Sequence, residues 1–172
     1  MKHITILVPR GALLGSIEGP RQVFAEANKY LIRQGRMPLF RVELAALDRE
    51  TAAAGGLYQV TTDTLVRDIG RTDLVLIPAL DGDLVHTVEA NGELVPWIVR
   101  QYKTGAEVAS LCVGAFLLAA TGLVDRRKCA THWMAAQEFR RLYPEVDLVE
   151  DKIITDEHGI YTSGGAFSYL NL

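Results

Sequence analysis

The chain has 172 residues, of which 49% are hydrophobic and 23% charged; that is enough for one well-buried domain, too little for two comfortable ones, and too apolar for disorder. A formal net charge of -3 at pH 7 argues against a nucleic-acid-binding surface, which carries a basic excess. Two cysteines outside any CxxC pair give no zinc pattern and no disulfide framework, and they fit a reducing cytoplasm.

His3 to Pro9, HITILVP, is a nearly continuous apolar run rich in β-branched residues, which predicts a strand buried on both faces of a parallel sheet. It is far too short for a signal peptide, and no stretch approaches transmembrane length. Gly11 and Gly15 mark a loop, RGALLGSIEGP. Gly19-Pro20 then opens a helical pattern of Val23, Phe24, Ala27, Tyr30 and Leu31 that Gly35 ends. The loop lies at the C-terminal end of the first strand, the edge of an open α/β sheet where ligands bind. Its polar residues near the helix are Ser16 and Glu18. Glu18 has the chemistry of a general acid or base, or of an acceptor for a cysteine; it equally complements a helix N-terminus. Phe40 to Leu47 alternates as a second strand, Ala52 to Gly56 is a turn, and Leu57 to Val60 is a short edge strand. Thr61 or Thr62 caps a short helix through Ile69. Asp73 to Pro78 is a third central strand, and the loop Ala79 to Asp83 follows on the ligand edge. Asn91 to Lys103 reads as a helix with Leu94, Trp97, Ile98 and Tyr102 on one face and Pro96 near its first turn.

The stretch Ala106 to Gly122, AEVASLCVGAFLLAATG, organises the rest. Val108 to Leu111 reads as a buried strand and Val113 to Thr121 as a buried helix, with Gly122 as its stop. Cys112 sits at the junction between Ser110 and Gly114, small residues that a sharp strand-to-helix turn tolerates. This is the logic of a nucleophile elbow with sulfur in place of oxygen. It exposes the side chain at a helix N-terminus, where the dipole favours a thiolate. The same pattern also fits a small buried cysteine packed under a sheet.

Beyond Gly122, Val124 to Lys128 is a charged turn, and its run Arg126-Arg127-Lys128 is either a phosphate contact or a solvated loop. Cys129 to His132, CATH, is a short strand with Cys129 and Thr131 on one face and Ala130 and His132 on the other. Trp133 to Tyr143 is an amphipathic helix. His132 therefore stands on the same ligand edge as Cys112, either as the base of a Cys-His pair or as a structural hydrogen-bonder. Val146 to Val149, Ile153 to Thr155 and Ile160 to Thr162 are short strands, and AFSYLNL after Ser163-Gly164-Gly165 looks like the first turns of a helix. The order of elements predicts a three-layer α/β domain with a mostly parallel, flavodoxin-like sheet.

The run ASLCVGAFLLAATGLVDRRKCATHW, followed by FRRLYPEVDL and GIYTSGGAFSYLNL, resembles the ThiJ/PfpI superfamily, whose fold is that of class I glutamine amidotransferases. Within it, the likeness is to the N-terminal domain of AraC-type transcriptional regulators, which the opening ILVPRGALLGSIEGPRQVFAEAN also fits. The resemblance implies a flavodoxin-like sandwich, usually dimeric, followed in the regulators by a helix-turn-helix DNA-binding domain. On this reading residues 1–172 are a single domain at the start of a longer chain. It is a sensory or dimerisation domain that binds a small-molecule effector near Ser16, Glu18, Leu80, Cys112, Val113 and His132, with Thr131 and Phe167 nearby. The expectations are a homodimer, DNA contact only through a C-terminal domain, no membrane, no metal and no cofactor. Three positions depart from the catalytic branches. Ser16 stands where an acidic residue hydrogen-bonds the elbow cysteine, and serine exchanges no proton near pH 7. Val113 replaces the threonine of the isonitrile-hydratase-like branch, keeping the N–H and losing the hydroxyl. Leu80 follows Pro78-Ala79 where many relatives place glycine. An alternative is a cysteine-dependent hydrolase or lyase, with Cys112 attacking carbon, the N–H groups of Val113 and Leu80 holding charge, and His132 moving a proton. A third reading makes Cys112 an oxidant sensor that forms a sulfenic acid.

Overall fold

The computed structural model describes residues 1–167. Strand β1 (Lys2–Leu7), helix α1 (Leu14–Arg33) and strand β2 (Phe40–Ala46) form a βαβ unit, with Ile4 opposite Val42 and Ile6 opposite Leu44 in parallel register. β3 (Glu50–Ala53) and β4 (Tyr58–Thr61) make a separate hairpin, and β5 (Thr64–Leu65) returns beside β2. β6 (Leu74–Ile77) pairs with β1; α2 (Leu84–Ala90) and α3 (Leu94–Lys103) then lead to β7 (Glu107–Leu111) beside β6. Helix α4 (Ala115–Ala119), β8 (Lys128–Cys129), α5 (Ala136–Leu142) and β9 (Asp147–Leu148) follow, β8 and β9 forming a small pair of their own. β10 (Ile154–Asp156) and β11 (Ile160–Ser163) complete the main sheet, in the order β10-β11-β7-β6-β1-β2-β5. Every pairing in it is parallel except that of the edge strand β10.

Alternation along the strands divides the core into two layers. Ile4, Ile6, Leu76 and Leu111 pack with Ile17 of α1 on one face. Val75, Ile77 and Val108 pack with Trp97 and Ile98 of α3, Phe116 of α4 and Phe139 of α5 on the other. Phe116 and Phe139 meet edge to face at 5.0 Å. This is the three-layer, mostly parallel flavodoxin-like sandwich expected from the apolar strand runs.

Several boundaries differ from expectation. α1 starts at Leu14, so Gly15, Ser16 and Glu18 belong to its first turns and not to a loop. Pro20 falls in the second turn, where its ring removes the bond to the Ser16 carbonyl. The helix expected up to Ile69 is strand β5 and one 3-10 turn, Val66–Asp68. Asp63 causes this: its N–H donates to Leu44 O and its carboxylate accepts from Leu44 N, which lays the chain along β2. Helix α2, not anticipated, is capped by the Asp83 carboxylate accepting from His86 N at 2.9 Å. The CATH strand ends at Cys129, because Thr131 turns away to donate to the Cys112 carbonyl. A 3-10 turn, Trp133–Ala135, precedes α5, and another, Cys112–Gly114, precedes α4. The helix expected in AFSYLNL falls largely outside the described residues; Ala166 and Phe167 form a turn. Among the described residues, no helix is long and apolar enough to cross a membrane.

Candidate functional site

β7 delivers Cys112 at its C-terminal end with φ 55, a left-handed conformation that is costly for a residue with a Cβ. The packing beneath the turn holds this strain. A Cβ on Gly114 would lie 2.4 Å from Pro78 O and 3.0 Å from Ile77 O, so the elbow rests backbone to backbone on the end of β6. Thr131 Oγ1 clamps the turn from the other side, donating to Cys112 O at 3.1 Å.

Cys112 is largely withdrawn from solvent, at 7% exposed. Burial pushes its thiol up, and this outweighs the opposing influence of the Val113 and Ala166 N–H groups that face it. The expected dipole-favoured thiolate is therefore not what this environment supports. Cys129 is more deeply buried, and its thiol is pushed up to about 12. The segment after β11 reaches the elbow. Ala166 offers its N–H to the sulfur, and the Phe167 ring lies against α1, with Cε1 3.4 Å from where a Gly15 Cβ would be.

Ser16 is buried and its hydroxyl is already committed. It donates to Leu13 O at 2.7 Å and accepts from Ala79 N at 3.0 Å. Two further bonds zip the same loops, Leu13 N to Ala79 O at 2.9 Å and Asp81 N to Gly11 O at 2.8 Å. They flank an antiparallel bridge between Ala12 and Leu80, a geometry that turns the Leu80 N–H away from the first loop. The buried Asn91 side chain secures the same region, accepting from Arg10 N and donating to Arg10 O and Thr87 O. Sequence reasoning missed this clip, although an Asn just after a short helix is a recognisable capping signal.

Glu18 is not brought to the elbow. Its carboxylate takes two bonds from Arg21, at 2.6 and 2.7 Å, and one from Gln22, and the Arg21 guanidinium holds it below the usual carboxylate range. His132 caps the turn before α5. Its Nδ1 accepts from Met134 N at 3.3 Å and its ring stacks on exposed Trp133. Among the described residues no hydrogen bond joins its ring to Cys112. The Ser16 bonds to Leu13 and Ala79, the Ala12–Leu80 bridge, the approach of Gly114 to Pro78, and the Thr131 and Ala166 bonds to Cys112 bring these segments together at the carboxyl edge of the sheet. No group of three His, Cys, Asp or Glu side chains with metal-binding geometry occurs among the described residues. The backbone N–H groups of Val113 and Ala166 face the sulfur, and that of Ala79 is taken by Ser16.

Residues 17–171 match the DJ-1/PfpI family model. The HTH-type transcriptional regulator GlxA of Rhizobium meliloti is 30% identical over 184 residues, covering 100% of this chain and 51% of that protein. The HTH-type transcriptional regulator CdhR of Pseudomonas aeruginosa is 25% identical over 163 residues, covering 95% of this chain and 46% of that protein. The chain therefore spans about half the length of these regulators. The crystal structure of an AraC family transcriptional regulator from Pseudomonas putida shares the fold, with TM-score 0.79 at 15% identity over 100% of this chain and 88% of that one.

Proposed function

The chain belongs to the DJ-1/PfpI family, and we propose that it serves a cytoplasmic transcription regulator as its sensory and dimerisation domain, not as an enzyme. One observation carries the reading: the position of the catalytic acid is held by Ser16, whose single proton is spent on Leu13 O and whose oxygen is taken by Ala79 N. Nothing at that position draws a proton from Cys112, and burial keeps the sulfur a thiol. The similarity to GlxA and CdhR supports the same direction.

In this reading a small metabolite occupies the shell of Ser16, Leu80, Cys112 and Val113, held by backbone N–H groups. To reach the sulfur it displaces Ala166 and Phe167. Those residues lead out of β11 toward the C-terminal side, where such a regulator carries its DNA-binding domain. Occupancy then shifts the balance between two arrangements of that exit segment, and the difference in affinity for the two sets the size of the response.

Alkylation tests this directly. We expect Cys112 to react slowly near neutral pH and to accelerate only in alkaline solution, with Cys129 slower still by mass spectrometry. The low-molecular-weight ultrafiltrate of a bacterial extract should protect Cys112 and raise the melting temperature. Fast alkylation of Cys112 in mild acid would instead identify a thiolate nucleophile and return the enzyme reading.

A further inference from the structure

A cleft of about 270 Å³ opens at the carboxyl end of β2, between that strand, the turn after β5 and the start of α3. Leu47 and Val66 give it apolar walls, and Arg67, Glu93, Trp97 and Arg100 give it polar groups. It is separated from the Cys112 shell by the width of β1 and β6. Carboxyl edges of parallel sheets are where ligands bind in this class of fold.

The cleft lining holds three side-chain donor groups without partners among the described residues. Arg10, Arg21, Arg41 and Arg140 each hold a carboxylate. Arg67 and Arg100 are exposed, and neither side chain makes a hydrogen bond or ion pair among the described residues. Glu93 lines the same cleft and pairs with neither, leaving it one net positive charge. Trp97 is 4% exposed, and its indole N–H is buried without an acceptor. Two guanidiniums and an indole offer only donors. A buried donor without a partner is rare and calls for an explanation, and a missing ligand is one.

We propose that this cleft is a binding site for a small oxyanion, the phosphate or carboxylate group of a metabolite. Arg67 and Arg100 clamp its oxygens, and Trp97 Nε1–H donates from the wall. The site stands independently of what occupies the Cys112 shell.

Trp97 is its own reporter once Trp133→Phe removes the other tryptophan. Inorganic phosphate and malonate are titrated separately against chloride at matched ionic strength, following Trp97 emission. The expected result is a saturable change with one or both anions, and the anion that saturates identifies the headgroup. Arg67→Gln and Arg100→Gln should each weaken binding about tenfold. Both side chains are exposed, so circular dichroism should show an intact fold. Glu93→Gln should tighten binding. A response that chloride reproduces, no saturation with either anion, or equal binding by the arginine variants overturns the proposal.

Discussion

At Gly114 one hydrogen atom decides whether the elbow can form. A methyl group there meets the Pro78 carbonyl at 2.4 Å and the Ile77 carbonyl at 3.0 Å, and both are backbone that no rotamer change can move. Gly114→Ala should therefore cost about 3 kcal/mol of stability in urea denaturation. Gly70→Ala, where nothing lies within 4 Å, should stay within about 0.5 kcal/mol of wild type. Similar losses at the two sites would show that the elbow does not depend on this close approach. The need for small residues around Cys112 was legible in the sequence, because a strand-to-helix turn crowds its own backbone. The protonation state of Cys112 was not. It depends on tertiary burial of the sulfur, opposed by an N–H from Ala166, a residue far along the chain that no local pattern connects to the elbow.

Among the elements, α1 and the loop after β6 are joined through one side chain. Ser16 sits in the first turn of α1 and its hydroxyl bridges Leu13 O and the buried Ala79 N–H. Ser16→Ala leaves that N–H without a partner and should cost about 1–3 kcal/mol. Because the hydroxyl does not serve the thiol, the variant should keep the wild-type pH profile of Cys112 alkylation. A shifted profile would mean that Ser16 acts on the sulfur. Element boundaries were legible where an apolar pattern matched one period, as in β1, β6 and β7. They failed where it did not. Helix α2 has no fully buried residue, and its apolar stripe is only Leu84 and Val88, too short to stand out as a period. The start of α1 was hidden by Gly15, Gly19 and Pro20, residues that usually mark a loop but here lie within the helix. Asp63 turned an expected helix into an edge strand through a pairing with Leu44.

For the whole molecule, the sheet that was legible as mostly parallel has a strand order that was not, because pairings such as β11 with β7 join residues far apart in sequence. That assembly is what seals Cys129 into the layer of α4 and α5, and it gives global stability a pH dependence whose sign is fixed. An ordinary thiol in the unfolded chain ionises near 9, whereas burial raises Cys129 to about 12 in the fold. Between those values the unfolded chain gives up a proton that the folded one keeps, so unfolding releases protons. The stability is fully present below pH 9 and is lost as pH rises through the window, by up to about 1.4 kcal/mol per pH unit. Cys112 and Tyr143, both raised by burial, add to the loss in the same direction. Urea midpoints from about pH 8 to about pH 10.5 should therefore fall in the wild type. Cys129→Ala should start lower, from the cavity it leaves, but fall less steeply over the same interval. Parallel slopes for the two proteins would mean that Cys129 ionises equally in both states and that the sheet does not seal it.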